Sequence, residues 1–213
     1  MQVLVRYLHG CHAYPGTDAL VTLEGSKRVF MGRTERSNLR SVLRRETASV
    51  HDRLDRALGG EALASSKEYA RFLATQYRAR KPIEDWIAAN MAGEEAPPEQ
   101  APLIAADLSA LGADTPPVAP SFSMPADADP VGLQWALAGS SLGNRAMLAQ
   151  RRKSGLDGPE KFLSDAAMPA FFKDLRPRLE AEVDSASAER AVMAAHAVFA
   201  CFLNALEPLE HAA

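Results

Sequence analysis

Apolar residues recur every three or four positions along most of the chain after residue 38, and this spacing predicts a succession of helices. The first stripe consists of Leu39, Val42, Leu43, Thr47, Val50, His51, Leu54 and Leu58. These positions share one helical face, and the following Gly59–Gly60 pair predicts where that helix ends.

A second helix is predicted to begin after Ser65, which with Glu68 three residues later makes a capping-box pair. Pro82 is expected to kink or restart this helix, because proline lacks the N–H that a helix interior needs. The apolar face of the second helix comprises Tyr69, Phe72, Leu73, Gln76 and Tyr77, continued beyond the proline by Ile83, Trp86 and Ile87.

Residues 93–130 are rich in Pro, Ala and Asp, which predicts a loop that contains one short helix near Leu103–Leu111. No β-rich segment follows Met31. Three further helices are predicted over Pro130–Arg152, over Pro169–Val183 with an interruption near Pro177, and over Ala186–Leu209. The expected architecture is therefore a single-domain, all-α helical bundle.

The first 37 residues do not share this pattern. They hold short, β-leaning apolar pieces separated by Tyr14-Pro15-Gly16, and nothing in them continues the later helical periodicity. We therefore expect residues 1–37 to form a poorly ordered N-terminal extension and residues 38–213 to form the helical domain.

Composition narrows the function classes. The chain has 213 residues, 47% of them hydrophobic, and a net charge of −3, so one well-buried core is expected and no general affinity for nucleic acid. The two cysteines, Cys11 and Cys201, do not suggest a disulfide framework, and Cys201 is expected in the core. We find no secretion signal and expect no membrane-spanning run, which makes a cytoplasmic location the expectation.

His51 is the most informative single residue, because a histidine has no evident packing role within that apolar stripe. A lone histidine there is more often a hydrogen-bonded core residue than a metal ligand. A neutral imidazole is, however, also a good axial ligand for iron. Arg44 lies seven residues earlier on the same face, where it is placed to reach an anionic edge of a ligand centred on His51.

The other histidines are weaker candidates. His196 lies near an apolar stripe of the last helix and is the main rival of His51. His9 and His12 flank Cys11 in the extension without a second ligand cluster, and His211 is in the tail. Spacings typical of zinc or di-iron carboxylate sites do not occur, which argues against those metals.

Two glycines lie four residues apart on one face of the long helix, at Gly139 and Gly143. A glycine inside a helix costs about 1 kcal/mol relative to alanine, so the pair needs a compensating role. One reading is close packing of two helices through small residues. The other is close approach of a planar ligand to bare backbone, with Ser140 and Ser141 placed to orient water near that ligand.

Taken together, these segments resemble the heme oxygenase family, and its bacterial branch in particular. Leu43-Arg44-Arg45-Glu46-Thr47-Ala48-Ser49-Val50-His51 is similar to the helix of that family that carries the axial histidine. The second-helix stripe with Glu84 beyond it, and Gly139-Ser140-Ser141-Leu142-Gly143, resemble the second and distal helices. The resemblance covers roughly Leu39–Leu209.

The resemblance implies an assignment for each site residue. His51 would be the axial ligand of heme iron, Arg44 and Lys173 would approach the heme propionates, and Trp135 would occupy the position of an aromatic contact. Gly139, Gly143 and Ser140 would form the catalytic, oxygen-binding side. The implied reaction opens heme oxidatively to biliverdin and releases iron and carbon monoxide. Heme serves as cofactor and substrate, and the reaction consumes O2 and electrons from an external reductase or ferredoxin.

Two alternatives remain open. The first is a non-catalytic heme carrier or sensor on the same fold, since Ala138, Asn144 and Arg145 depart from the family pattern. The second is a helical protein without heme, in which the glycines serve packing and His51 is a core residue. If biliverdin is the product, a bilin-accepting photoreceptor is a candidate partner beside the electron-donor protein.

Overall fold

The computed structural model describes residues 37–58, 65–91, 93–118 and 121–206, which form six α-helices and one short 3₁₀ turn. Their only β-type pairing is an isolated bridge between Asn38 and Glu182. The predicted all-α architecture is thus confirmed for the described part of the chain. The predicted extension, with His9, Cys11 and His12, lies outside the described residues but for residue 37, and so does His211.

The helix boundaries agree closely with the apolar periodicity. The predicted capping box is present, since the side chain of Ser65 accepts from the N–H of Glu68 at 3.2 Å and donates to its carboxylate at 2.9 Å. The helices are α1 (Leu39–Leu58), α2 (Ser66–Asn90), α3 (Ala101–Ala110), α4 (Pro130–Lys153), α5 (Ala167–Glu180) and α6 (Ser185–Leu206).

Two sequence predictions fail at prolines: the restart allowed for at Pro82 and the interruption expected near Pro177. Pro82 lies inside α2 and Pro177 lies inside α5, and both helices continue past them without a restart or an interruption. Each proline removes one backbone hydrogen bond. Apolar residues just beyond each proline are fully buried, Ile83 in α2 and Leu179 in α5. Burial of the helix face on both sides of the proline therefore outweighs the lost bond.

Helix α6 is the central element of the bundle, because α1, α2 and α4 all pack against it. Its buried face is rich in alanine, whose small side chain allows close approach of a neighbouring helix. Gly132 of α4 lies at the tightest point, where a Cβ atom would come within 1.8 Å of the carbonyl oxygen of Ala191. The sequence analysis did not single out this glycine, whose role is helix packing.

The expectation that no run approaches membrane-spanning length was too strong. Helix α6, Ser185–Leu206, is long and apolar enough to cross a bilayer by length and composition. Its buried residues, among them Ala191, Ala195 and Val198, pack in the core with α1, α2 and α4. The apolar character of α6 is accounted for by this central position in the bundle.

Candidate functional site

A cleft of about 150 Å3 lies between α1 and α4. Both helices pack along α6, but within the described residues they do not pack closely on each other, which leaves the space between them open. Helix α1 contributes Arg40, Arg44, His51, Leu54, Asp55 and Leu58, and α4 contributes Trp135, Ala136, Gly139, Ser140, Leu142, Gly143, Asn144 and Met147. The rest of the wall comes from Phe72, Gln76, Phe172, Val198, Phe199 and Phe202.

His51 reaches this cleft from the middle of α1, and its side chain is 30% exposed. One ring nitrogen, Nδ1, lies 3.1 Å from Oδ2 of Asp55, one helical turn further along. The ring also meets Phe199 edge-on, with centroids 6.1 Å apart. A carboxylate thus lies beside one ring nitrogen, and among the described residues no hydrogen bond engages the other nitrogen, Nε2.

Gly139 and Gly143 line the same cleft as His51. A Cβ atom built on either glycine would meet no atom of the described residues within 4 Å, whereas one on Gly132 would collide with α6. Close packing of helices therefore does not explain the pair at 139 and 143. The two glycines leave a strip of bare α4 backbone facing open space.

Ser140 and Ser141 differ in their surroundings. The hydroxyl of Ser140 lines the cleft, donates to the carbonyl oxygen of Leu137 at 2.7 Å and accepts from Arg80 at 2.7 Å. Ser141 is buried and donates to the carbonyl oxygen of Ala138 at 2.6 Å. Of the two serines, Ser140 alone is in a position to act on a molecule in the cleft.

Basic residues stand at one end of the cleft. Arg40 and Arg44 of α1 both belong to its lining, and Arg44 is exposed. Lys173 is exposed on α5 and is not part of the lining, although its neighbour Phe172 is. The structure thus brings Arg44 to the cleft and leaves Lys173 outside its wall.

Of the remaining residues proposed from the sequence, Trp135 lines the cleft and His196 does not. Trp135 lines the cleft, with its ring 6.4 Å from that of Phe199. His196 is exposed on α6 and is not part of the lining, so it does not compete with His51 for this site. Within the described residues, no group of three or more His, Cys, Asp or Glu side chains is placed to hold a metal.

Two features of the site were missed by the sequence analysis. Asp55, four residues after His51, was not recognised as a partner of its ring, although that spacing places the two side chains on one face. Arg80 was not considered either. It falls on the apolar stripe of α2, four residues after Gln76, and a charged residue on such a stripe was the available signal.

The arrangement has three chemical capabilities. An imidazole with one nitrogen oriented by a carboxylate is a suitable ligand for a metal ion carried by a larger molecule. Apolar walls and bare backbone accept a flat, apolar body between α1 and α4. Arginines at one end can pair with anionic groups on the edge of that body.

A search of solved structures identifies a similar fold. The chain resembles the heme oxygenase from Neisseria meningitidis, solved with NO and CO bound, with a TM-score of 0.60 and 18% sequence identity. The match covers 79% of this chain and 90% of that protein. No family model and no curated protein sequence matches the chain. The chain therefore has the all-α fold of this heme oxygenase, and an identity this low shows the fold alone.

Proposed function

We propose that this protein is a heme oxygenase that opens the heme ring to biliverdin and releases iron and carbon monoxide. The observation that carries the proposal is that His51 and the pair Gly139 and Gly143, far apart in sequence, line one cleft between α1 and α4. The similarity of the fold to the Neisseria heme oxygenase supports the same conclusion independently of these residues.

The residues of α1 suit the iron and the charged edge of heme. His51 would ligate the iron through Nε2, because Asp55 lies 3.1 Å from Nδ1 and would hold the ring from that side. Arg44 and Arg40 would pair with the propionates, since both arginines line the cleft. Lys173 is a further candidate for a propionate contact from outside the cleft wall.

The residues of α4 suit the opposite face of the ring. Gly139 and Gly143 keep side chains out of the space beside the backbone, which would let oxygen and the ring edge approach it. Trp135 would pack against the porphyrin body. Ser140 supplies a hydroxyl to this side of the cleft, and we assign it the role of holding a proton-carrying water near the ring.

Bound heme would supply the redox chemistry, and the protein would contribute binding, orientation and exclusion of water. His51 would hold the heme through an imidazole, which does not bring the negative charge of a cysteine thiolate to the iron. Electrons and O2 must come from outside, and we propose a separate reductase or ferredoxin as the donor. A bilin-accepting photoreceptor would be a downstream partner, and we propose a cytoplasmic location.

A heme carrier or sensor on the same fold is the alternative, and Asn144 is the observation that favours it. Asn144 belongs to the cleft lining, at a position where the family pattern has a small residue. The other departures affect the site less, since Ala138 is buried in the core and Arg145 is exposed on α4.

Hemin titration followed by reduction tests the function. Stoichiometric hemin should give a defined absorption spectrum, and a reductant under oxygen should then replace the heme band with that of biliverdin. A stable heme spectrum that survives reductant and oxygen would favour the carrier. Failure to form any complex would contradict both functions.

Substitution of two histidines, one at a time, tests whether His51 is the iron ligand. His51→Ala should abolish normal turnover and shift the heme spectrum, because the proposed iron ligand is lost. His196→Ala is the control, since that side chain is exposed and outside the cleft. A wild-type spectrum in His51→Ala, or equal effects of the two substitutions, would overturn the role of His51.

A further inference from the structure

The arginine missed by the sequence analysis, Arg80, is buried behind the α4 side of the cleft. Its relative exposure is 1%, and burial lowers the pKa of its guanidinium below the usual value. Its charged group lies against the aromatic faces of Phe162 and Phe202, at 5.5 and 5.7 Å from the ring centroids. A charge taken out of water at this cost calls for a specific role.

The hydrogen bonds of Arg80 connect it to the cleft. Its Nη2 donates to Oγ of Ser140 at 2.7 Å, and its Nε donates to Oε1 of Gln76 at 3.3 Å. Ser140 and Gln76 both belong to the cleft lining. The third nitrogen, Nη1, is buried and has no hydrogen-bond partner among the residues that the structure describes. The arginine therefore donates hydrogen bonds to two residues of the cleft lining. One of its nitrogens is left to donate further.

Nearby carboxylates do not pair with the arginine directly. The charges of Glu84 and Asp165 both favour the charged form of Arg80, but their oxygens accept hydrogen bonds from other groups. Glu84 accepts from the backbone N–H groups of Gln100 and Ala101, at 3.0 and 2.9 Å. Asp165 accepts from the N–H of Met168 at 2.8 Å. The nearest polar contact of the cation thus remains the hydroxyl of Ser140.

The arrangement makes Ser140 a stronger donor than an ordinary serine. Its hydroxyl accepts a hydrogen bond from a cation, which polarises the O–H bond. The proton now points to the carbonyl oxygen of Leu137, and turning it toward the cleft would leave Oγ and the bond from Arg80 in place. An anion in the cleft would gain a charge-assisted donor, whereas a neutral molecule would gain much less.

We propose that Arg80 is a positioning residue that acts through Ser140 to make the α4 side of the cleft select a small anion as the second ligand of the heme iron. The inference rests on the proposed function, because it requires heme held by His51. It adds a selectivity for charge, and it places the origin of that selectivity in α2 rather than in the distal glycines.

The test uses the heme complex of the full chain and does not depend on turnover. It measures the affinity for an anionic ligand and the electric field at the ligand site. Azide is titrated into the ferric complex, and the C–O stretching frequency is recorded for the ferrous carbon monoxide complex. The variants are Ser140→Ala, Arg80→Met and Arg80→Lys. Lys81→Met is the control, because it removes the same charge from the next residue of α2, whose amine pairs with the exposed Asp85 instead.

Ser140→Ala and Arg80→Met should each raise the dissociation constant of azide about tenfold or more, as expected for a lost charge-assisted hydrogen bond. Both should also raise the C–O stretching frequency, because a positive field near the ligand is removed. Arg80→Lys should keep most of the azide affinity, and Lys81→Met should match wild type. If Arg80→Met fails to fold, Ser140→Ala and Arg80→Lys decide the question.

Unchanged azide affinity in Ser140→Ala, or an equal loss in Lys81→Met, would overturn the role of Arg80 and leave the proposed function intact. A wild-type protein that forms no complex with hemin would overturn the proposed function and this inference together.

Discussion

Glycines in α4 serve two different purposes that the sequence does not distinguish. Gly132 is required for close packing, because a side chain there would collide with the backbone of α6 at Ala191. Gly139 and Gly143 face the open cleft, where a methyl group would touch nothing in the described part of the chain. Packing within the described residues therefore does not offset their cost to the helix, as expected if the space beside them is kept for a ligand.

This contrast predicts that alanine substitutions at the two kinds of glycine change the free energy of unfolding in opposite directions. Gly139→Ala and Gly143→Ala should each stabilise the heme-free protein by up to about 1 kcal/mol, because alanine favours the helix and meets no obstacle. Gly132→Ala should destabilise it by about 1–3 kcal/mol through overpacking. Urea unfolding monitored by circular dichroism measures both effects. Destabilisation by all three substitutions would show that the pair also serves packing.

The contact between His51 and Asp55 gives a second prediction at the residue scale. Asp55→Asn should weaken hemin binding about 10- to 100-fold, the usual loss when the partner of a ligating histidine is removed. Asp52→Asn is the control, because that side chain is exposed on the same helix and does not line the cleft. Competition for hemin against a reference protein measures both affinities, and equal affinities would rule out an orienting role for Asp55.

At the scale of elements, the site exists because α1 and α4 are held apart. Each packs on α6, and the described residues show no close packing between the two. The cleft of about 150 Å3 is smaller than the roughly 300–1,000 Å3 typical of small-molecule sites. A ring as large as heme therefore requires that its edge project to the surface near Arg44, or that α1 and α4 move further apart.

Filling this space should block hemin without harming the fold. Gly139→Leu or Gly143→Leu places a bulky side chain in the cleft, so hemin or oxygen binding should be lost while the helical circular dichroism spectrum is retained. Ala149→Leu is the matched control, since Ala149 is exposed on α4 away from the cleft. Wild-type hemin affinity and turnover in the glycine variants would mean that the ligand does not occupy this cleft.

At the scale of the whole molecule, the division of the chain into an extension and a helical domain remains a prediction. The described helices begin at Leu39, and the predicted boundary lies at residue 37. Limited proteolysis should cleave first within residues 1–37 and leave a fragment that binds hemin like the full chain. Mass spectrometry of the products locates the cuts. Resistance of this segment to protease, with Met1 retained in the native protein, would contradict the division.

The sequence by itself determined the all-α class and most helix limits, because an apolar stripe with a capping residue, such as Ser65 before α2, is a local signal. It also identified His51 and the glycine pair as unusual for their surroundings, since a polar ring on an apolar face and glycines inside a helix both carry a local cost. Such a cost in free energy shows that the residue must have a compensating role, but it does not show which role.

Only the tertiary structure decided which explanation holds, because the answer depends on what lies opposite each residue. It placed Gly132 against α6, left Gly139 beside open space, and brought His51 to the same cleft. It also carried α2 through Pro82, where burial of the helix face outweighs a lost hydrogen bond. These outcomes arise from contacts between segments far apart in sequence, which no local pattern of residues records.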